Sequence, residues 1–567
     1  MIVAATSLRA PLQDYSLFDN DNSLDEFLNL IKNMKGKYFA PQSGMIWRTK
    51  NPFINDIIAN YFPVLDRLLI YSNDYTPPKS QKIKIIFEKD LENFDALKVE
   101  KQIASSVIIG GLPSLWAMTI ASILYKNAAY SSHLAPPVYI SGDIYKSASY
   151  WNSGQYHVRH STPMYPDPKF RAGYMFLISL IRYCFPGLSN PQYDNYMIAD
   201  IHPHAFLSPK TLKVGLGYWY YGMKYVFDKY WGRQNITDYT FNCGIISGNI
   251  MRCIEQLFDC KLLLKQAGAF RIAYNASESL EMKHEQQILQ KYGVDSYMIS
   301  KDDFAKESGF FPKLQAESTI WKYPNDTALT HDYMELLIKN IKNYDGRIMN
   351  PDTGSVAPVV SHIVCNNKQQ AKGVVVYDAT AGRYCYIPAV TILCSNGVYA
   401  DYQNDSRKSG WRSPESVIAA TGYSSYLLVE GHIKKPVDSN NHHFTPLKTV
   451  TINGEIVTLV KTTGGGTVND GVNNYLNKDY AINNIHYACN IVYPGKKIAL
   501  IAVKSCSRSI NMQNFSKIHK PLKNVSIITG TSGTGVTCGA AIALESLKGL
   551  ASCYQTDILE KINDFFQ

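Results

Sequence analysis

The stretch that most constrains this chain is residues 104–127, ASSVIIGGLPSLWAMTIASILYKN. Its apolar residues 107–109 predict a short buried strand, Gly110 and Gly111 a tight turn, and residues 113–125 a helix. Pro113 suits the first helical turn, because amides at that position have no intrahelical partner. The helix is apolar almost all round, which predicts that it is buried against a sheet. A strand, a glycine turn and a buried helix in this order form the first half of a βαβ unit.

The glycine turn predicts an anion site, since a helix N-terminus offers unpaired N–H groups and the positive end of the helix dipole to a pyrophosphate. The usual dinucleotide pattern is G-x-G-x-x-G. Here Gly110 and Gly111 are followed by Leu112 and Pro113, and Ser114 or Leu115 stands in place of the last glycine. This stretch alone therefore leaves two interpretations open, a nucleotide site and an ordinary buried strand–helix turn.

The second strand of the unit is predicted over residues 137–141, PVYIS. A dinucleotide site expects an acidic residue at its end to accept from a ribose hydroxyl. Asp143, after Gly142, fills that position only if the register shifts by one residue. The following loop, 147–163, carries small and amide residues that would let the backbone approach a flat ligand closely. A polar surface loop is the alternative.

Composition excludes several classes of protein. Of the 567 residues 46% are hydrophobic and 18% charged, which indicates a globular chain. The net charge of +10 is not concentrated in a run of Lys or Arg, so we expect no nucleic-acid partner and at most a weak attraction to acidic surfaces. The eleven cysteines include no C-x-x-C pair, which favours reduced thiols in a cytoplasmic compartment and no metal site. No signal peptide or membrane-spanning stretch is expected.

The first hundred residues predict two amphipathic helices, beginning at a capping box at Ser23 and at Pro52, and a strand over 82–87. We interpret residues 1–100 as an extension that packs on the body of the protein, with a partner-binding arm as the alternative. Residues 164–265 predict aromatic-rich helices, including 174–185 and 212–231. Core packing is favoured for the second of these, and peripheral contact with a membrane surface is the alternative.

The second half predicts mixed strands and helices. Helices are expected over 278–292 and 331–343, and a small antiparallel sheet over 356–394 that returns to the first unit at Gly397. Further strands are expected over 418–431, 448–461 and 497–503. Residues 462–466, TTGGG, predict a turn, or alternatively the lining of a pocket. The chain ends in a second strand–glycine loop–helix, VSIITGTSGTGVTCG, which lacks the lysine of a P-loop.

Two glycine loops at opposite ends of the chain, with a β-rich part between them, indicate a flavoprotein. The chain resembles the FAD-dependent amino acid oxidoreductases of the D-amino-acid oxidase superfamily, and among them most closely the D-amino-acid dehydrogenases. The resemblance extends over residues 104–553 and is carried, in the family's order, by VIIGGLPSLWAMTIA, SASYWNSGQYHVRHSTP, KYGVDSYMISKDDFAKESGF, WKYPNDTALT, VTILCSNGVYA, ATGYSSYLLVEG and NVSIITGTSGTGVTCGAA.

The resemblance implies an α/β two-domain flavoprotein. Its Rossmann-like FAD-binding domain would comprise residues 101–265, 345–415 and 500–567, with a helical insertion over 164–265. Its β-rich substrate domain would comprise 266–344 and 416–499. Residues 1–100 are an N-terminal extension that the resemblance leaves uncovered.

The resemblance also implies site residues. Arg508 would bind the substrate carboxylate, since a guanidinium matches a carboxylate bidentately, with a surface salt bridge as the alternative. Tyr423 would place a hydroxyl at the substrate mouth. The residues implied to contact FAD are Gly110, Gly111, Ser114, Asp143, Ser149, Asn152, Ser153, Gly154, Gln155, Val359, Gly397, Gly530, Gly533, Thr534, Gly535, Val536 and Thr537.

The implied reaction is oxidation of the C–N bond of an amino acid or related amine by hydride transfer to the flavin. The chain departs from the family at the missing third glycine, at the displaced Asp143, and at Ser509, where the family has proline after the arginine. These departures favour a second hypothesis, a degenerate relative that has lost turnover and serves as a binding or assembly protein.

Overall fold

The protein is described from a computed structural model. It describes residues 18, 21–36, 38–39, 44–72, 81–127, 130, 132–141, 151–152, 154–157, 200–202, 208–213, 235–263, 268–349, 358–379, 381–395, 397, 400–404, 410–439, 442–469, 475–511, 516–531, 535–554 and 558–566. The predicted helix 174–185 and nearly all of 212–231 lie outside these residues.

The helices, in chain order, are α1 (Ser23–Asn33), α2 (Pro52–Tyr61), α3 (Pro63–Ser72), α4 (Leu112–Lys126), α5 (Asn235–Phe258), α6 (Ala276–Gln290), α7 (Lys301–Ser308), α8 (Tyr333–Asn343), α9 (Lys478–Tyr487), α10 (Gly535–Leu550) and α11 (Ile558–Phe566). Short 3₁₀ turns cover Glu88–Asn93 and Ala551–Cys553, and a π-helical turn covers Ala488–Val492.

The strands, in chain order, are β1 (Tyr38–Phe39), β2 (Met45–Arg48), β3 (Gln81–Phe87), β4 (Lys98–Val99), β5 (Ala104–Gly110), β6 (Val138–Ile140), β7 (Gln155–Tyr156), β8 (Asp200–Ile201), β9 (Ala269–Ala273), β10 (Tyr297–Ile299), β11 (Thr319–Tyr323), β12 (Thr327–Ala328), β13 (Arg347–Ile348), β14 (Val359–Cys365), β15 (Ala371–Asp378), β16 (Arg383–Ser395), β17 (Ala400–Asn404), β18 (Ile418–Glu430), β19 (Val437–Ser439), β20 (His442–Ile452), β21 (Glu455–Asn469), β22 (Leu476–Asn477), β23 (Ile498–Ile510), β24 (Lys517–Leu522) and β25 (Val525–Thr529).

An eleven-stranded sheet contains the predicted βαβ unit. Strands β13, β6, β5, β16 and β25 are parallel neighbours in that order, which is the arrangement expected of a doubly wound α/β domain. Helix α4 connects β5 to β6, and its residues Leu112 to Leu124 are all buried. The strand, the turn and the buried helix predicted from residues 104–127 are therefore confirmed.

Successive side chains of a strand point to opposite faces of the sheet. Different parts of the protein cover these two faces. On one face Ile108 and Leu393 join a large core with helices α2, α3, α4, α5 and α10. On the other face Val107 and Ile392 pack with the antiparallel strands β14 and β15. Both faces are covered, which is typical of parallel strands.

A ten-stranded sheet forms the second layer, in the order β10-β11-β9-β19-β20-β21-β18-β23-β2, with β8 paired to β21. The prediction of a turn at residues 462–466 is wrong, because these residues lie inside β21. There residues 462–464 pair with β18 on one side and β20 on the other, and the pairing with β18 resumes at Thr467 after a register shift. The chain turns instead at Asn453 and Gly454, both at positive φ, which splits the predicted strand 448–461 into a hairpin.

The described part of the first hundred residues belongs to both layers. Strand β2 pairs with β23 of the ten-stranded sheet, and β3 lies between β14 and β17 of the eleven-stranded sheet. The described strands of this region are therefore integral to both sheets. The boundary predicted at residue 500 also differs from the structure, since β23 crosses it within the ten-stranded sheet. Helix α1 begins without a side-chain cap at Asn22, so the predicted capping box at Ser23 is wrong.

Candidate active site

The two glycine turns meet at one end of strand β16. Strand β5 pairs with β16 so that Gly110 lies opposite Ser395, and Cys394 lies between Ile109 of β5 and Ile527 of β25. Strands β5 and β25 are thus on opposite edges of β16, about 10 Å apart, given the ordinary spacing of neighbouring strands. The turns that follow them therefore face the same carboxyl edge of the sheet, where open α/β sheets bind ligands.

The first turn is closed by Ser395. The Gly111 N–H donates to the Ser395 carbonyl over 3.2 Å, and the Ser114 N–H donates to Ser395 Oγ over 3.2 Å. The Ser114 hydroxyl donates to the Ile109 carbonyl over 2.7 Å and lies 2.7 Å from Ser395 Oγ. The Gly110 carbonyl accepts from the Tyr139 hydroxyl over 2.8 Å. Donors that an anion would need at this helix N-terminus therefore already bond to protein atoms.

The remaining positions of the first turn also differ from a phosphate cradle. Pro113 has no N–H to offer. Leu112, which stands in the middle of the fingerprint in place of a glycine, has its side chain buried in the large core. Gly110 has φ +120°, a conformation that favours glycine. The first turn thus has the dinucleotide backbone with a reduced set of donors.

The terminal turn is built differently. Gly530 has φ +68°, and a Cβ there would collide with the side-chain amide of Asn511. Among the described residues, a Cβ at Gly535, the first residue of α10, would meet Thr531 at 3.7 Å, which is ordinary contact. Residues 532–534 of this loop lie outside the described part of the structure. The described residues are compatible with a ligand at the start of α10.

Arg508 lies beside the terminal turn. It is half-buried on β23 opposite Ala420, and its charge lowers the pKa of Tyr423 against the stronger effect of burial. The next residue, Ser509, has its hydroxyl 3.3 Å from Thr531 Oγ1 of the turn. Side chains alternate along a strand, so Arg508 points to the opposite face of β23 from Ser509, and its role as the group that binds a substrate carboxylate stays a prediction.

Tyr423 does not lie at an open mouth, so that expectation is wrong. Its side chain is fully buried in the core cluster with Phe444 and Tyr493, and its hydroxyl lies 2.8 Å from His442 Nδ1. Burial raises its pKa far above the ordinary value. All but the last residue of β18 are buried, so this strand has no exposed face that an alternating pattern could reveal, and the face of Tyr423 could not be assigned.

Residues 151–152 and 154–157 of the loop that the resemblance assigns to the flavin are described, and they fold against the protein. Asn152 accepts from the Gly154 N–H through its side-chain oxygen over 2.7 Å. The Gln155 side chain is buried, donates to the Phe444 carbonyl over 3.3 Å, and contacts the His157 ring through its oxygen. The backbone N–H of His157 donates to Thr537 Oγ1 on α10 over 3.2 Å. This loop therefore joins the terminal turn to the second sheet.

The other predicted site residues are scattered or outside the described chain. Gly397 follows β16 at φ +62° with open space around it, and Val359 begins β14 opposite Tyr377 with 43% of its surface exposed. Val536 is buried at the start of α10. The residues that lie outside the described part of the structure are Asp143, Ser149, Ser153, Gly533 and Thr534.

Two buried lysines were not predicted. Lys461 of β21 and Lys504 of β23 are at most 5% exposed, and they lie over the rings of Tyr426 and Trp151, at 5.4 and 4.9 Å from the ring centroids. Burial lowers the pKa of Lys461 to about 7. Each lysine directly follows an apolar run, in VTLVK and LIAVK. A charged residue at the end of such a run is the signal that could have identified it.

The same face carries two buried hydroxyls. Ser424 and Thr463 are paired across β18 and β21, and Lys504 is the partner of Ser424 on β23. Both hydroxyls are fully buried and make no hydrogen bond within the described part of the protein. This polar row, on the face of the ten-stranded sheet that shares the large core, is chemically suited to a polar ligand.

No family model and no curated protein matches the chain. In fold it is similar to solved structures at low sequence identity. One is glycine oxidase from Geobacillus kaustophilus, with a TM-score of 0.49 and 12% identity over 80% of this chain and 96% of that chain. Another is L-proline dehydrogenase from P. horikoshii, with a TM-score of 0.47 and 12% identity over 80% and 95%. A third is L-α-glycerophosphate oxidase from Mycoplasma pneumoniae with FAD bound, with a TM-score of 0.44 and 13% identity over 79% and 95%.

Proposed function

We propose that this protein is an FAD-dependent oxidoreductase that oxidises the C–N bond of an amino acid or a related amine. The observation that carries the proposal is the position of the two glycine turns on opposite edges of one strand, β16, at the carboxyl edge of a parallel sheet. Such an edge is where dinucleotides bind in doubly wound folds. The family resemblance of residues 104–553 supports the same assignment.

Each half of the site has a separate task in this proposal. The Gly110–Gly111 turn and the N-terminus of α4 would hold the pyrophosphate, and the turn between Gly530 and Gly535 would hold the ring. Arg508 would bind the substrate carboxylate in a bidentate pair and so fix the orientation of the α-carbon. The cofactor supplies a two-electron acceptor when it is bound.

The test combines a spectrum with a reaction. The purified full chain is mixed with FAD and passed through a desalting column. It is expected to retain the flavin, with absorption bands at about 375 and 450 nm. Anaerobic addition of amino acids and secondary amines, one at a time, is expected to bleach the longer-wavelength band with at least one of them. A protein that retains flavin but is bleached by none of these compounds would contradict the substrate class.

A second candidate function rests on the first turn. Because the Gly111 and Ser114 amides already donate to Ser395, the chain offers a pyrophosphate fewer donors than the fingerprint does. This favours a binding or assembly protein that has kept the fold without turnover. A chain that stays colourless after mixing with excess FAD would support this function and exclude the first.

A further inference from the structure

A buried group of histidine, aspartate and glutamine side chains lies between the loop at Gln155–Tyr156 and the second sheet. Of its members, only Gln155 is among the residues that the family resemblance assigns to the flavin. We call it the His–Asp cluster. It consists of Gln155, His157, Asp438 and His443, with Asp326 behind His157. Single ligand atoms of His157, Asp438 and His443 all lie within 4.8 Å of one another.

The contacts are specific. His157 Nδ1 lies 2.9 Å from an Asp326 oxygen, and His157 Nε2 lies 3.5 Å from Asp438 Oδ2. The other oxygen of Asp438 lies 2.7 Å from His443 Nδ1. The side-chain oxygen of Gln155 contacts His157 Nε2. Two imidazoles and one carboxylate therefore lie together, and the amide oxygen of Gln155 lies beside His157 Nε2.

The cluster is held by rigid elements and is almost closed to water. Asp438 is the central residue of β19, and His443 is on the adjacent β20, paired with it in register. Asp326 lies in the turn between β11 and β12. The side chains of His157, Asp326 and Asp438 are 3%, 1% and 6% exposed, and that of His443 is 20% exposed. His443 is thus the side from which a small ion could enter.

The hydrogen bonds determine which atoms face the centre. Asp326 is an acceptor, so Nδ1 of His157 carries the proton. Gln155 donates through its nitrogen to the Phe444 carbonyl, so its oxygen is the atom that faces His157 Nε2. His157 Nε2 is then directed at two oxygen atoms, those of Gln155 and Asp438. Such an arrangement requires positive charge at the centre, either a proton on Nε2 or a metal ion.

We propose that the His–Asp cluster binds one divalent transition-metal ion of the Zn²⁺ type. The ligands would be His157 Nε2, His443 Nδ1, Asp438 and the Gln155 oxygen. Ligands around a tetrahedral zinc lie about 3.3 Å apart, given bonds of about 2.0 Å, and the His157–Asp438 separation of 3.5 Å agrees with this. The His443–Asp438 separation of 2.7 Å and the shorter His157–Gln155 contact are those of hydrogen bonds, which the ion would replace. Asp326 would then accept a hydrogen bond from Nδ1 of His157, the nitrogen that does not bind the ion, which is a common arrangement around protein-bound metals.

Charge and ligand type favour this class of ion. Two carboxylates, Asp326 and Asp438, balance a divalent ion while both histidines stay neutral. Imidazole ligands suit zinc and its neighbours, whereas Mg²⁺ and Ca²⁺ prefer sites built of oxygen alone. The ion would fasten the loop of His157, which bonds to Thr537 on α10, to β19 and β20 of the second sheet.

The test measures metal on the full chain, made without a histidine tag. The protein is stripped with a chelator, its fold is checked by circular dichroism, and Zn²⁺ is titrated against a chromophoric competitor. We expect one tightly bound Zn²⁺ per chain, loss of that site in His443→Gln, and an affinity lowered about 10- to 100-fold in Asp326→Asn, the change typical of a partner behind a ligand.

His519→Gln is the matched control. His519 is similarly shielded, 15% exposed against 20% for His443, and likewise lies near a carboxylate, that of Glu415 at 3.9 Å. This variant is expected to bind Zn²⁺ like the unaltered chain. Equal Zn²⁺ binding by the unaltered chain and His443→Gln, or a folded chain with no saturable site, would overturn the proposal and leave His157 as a protonated partner of two carboxylates. The readout needs no flavin, so it is independent of the proposed function.

Discussion

The two glycine turns stand on either side of the same strand end, yet their chemistry differs. The first turn has its Gly111 and Ser114 amides bonded to Ser395 and a buried Leu112 in the middle of the fingerprint. The terminal turn keeps Gly530 in a left-handed conformation, and among the described residues only Thr531 comes within 4 Å of a Cβ placed at Gly535. Two turns of the same strand–turn–helix type can therefore offer a ligand different numbers of unpaired donors.

It follows that the two ends of a bound dinucleotide would be held unequally. A ring at the terminal turn would have Arg508 nearby. A pyrophosphate at the first turn would have to compete with Ser395 for the amide of Ser114. The affinity for FAD would therefore depend more on the terminal turn than is usual for this arrangement.

Substitution of Arg508 tests the part of the proposed site at the terminal turn and has the largest expected effect on activity. Arg508→Ala removes a charge-assisted pair worth about 3 kcal/mol, so kcat/KM for a carboxylate substrate is expected to fall about 100-fold. Steady-state kinetics with the substrate found in the bleaching experiment measures this. Arg383→Ala is the control, since Arg383 is exposed at the other end of β16. An unchanged kcat/KM in Arg508→Ala would show that this side chain does not bind the carboxylate.

Substitution of Gly530 tests how far the terminal turn depends on glycine. Gly530→Ala combines a strained φ of +68° with a collision against Asn511, and we expect a loss of about 3 kcal/mol in the free energy of unfolding. Gly397→Ala has a similar φ of +62° and open space, so it is expected to lose only about 1 kcal/mol. Urea denaturation of the two variants measures the difference. Equal losses would mean that Asn511 yields without cost.

Substitution of Ser395 tests the first turn and has the smallest expected effect on stability. Ser395→Ala removes the bonds to Ser114 and is expected to cost about 1 kcal/mol of unfolding free energy. It also releases the Ser114 N–H, so the affinity for FAD is expected to rise about tenfold.

Ser106→Ala, which removes a hydroxyl of β5 that contacts Tyr554 away from the turn, is the control and is expected to leave the affinity unchanged. Fluorescence titration with FAD measures both variants. A lower affinity in Ser395→Ala would mean that Ser395 supports the ligand instead of competing with it.

The strand, turn and helix of the first unit could be predicted from sequence, because the apolar strand, the glycine pair and the apolar helix that specify them follow one another within 24 residues. The role of Ser395 could not, since it contacts Ser114 across 281 residues of chain. Nothing near either serine indicates the contact.

Other predictions failed, and other residues were missed, for different physical reasons. TTGGG was predicted to be a turn because glycine favours turns, but two neighbouring strands provide the pairing that keeps it extended. His157, Asp326 and Asp438 come from three distant parts of the chain, and only the fold brings them together. Lys461 and Lys504, in contrast, could have been recognised as charges within apolar runs.

The central claim is that one dinucleotide spans the two turns beside β16. Its most direct test is equilibrium titration of the flavin-free chain with FAD, FMN and ADP, followed by fluorescence and calorimetry. The account predicts one FAD per chain, bound more tightly than FMN, with ADP the weakest of the three and competitive with FAD. Failure of FAD to bind at saturating concentration, or binding of FAD and ADP at separate sites, would contradict it.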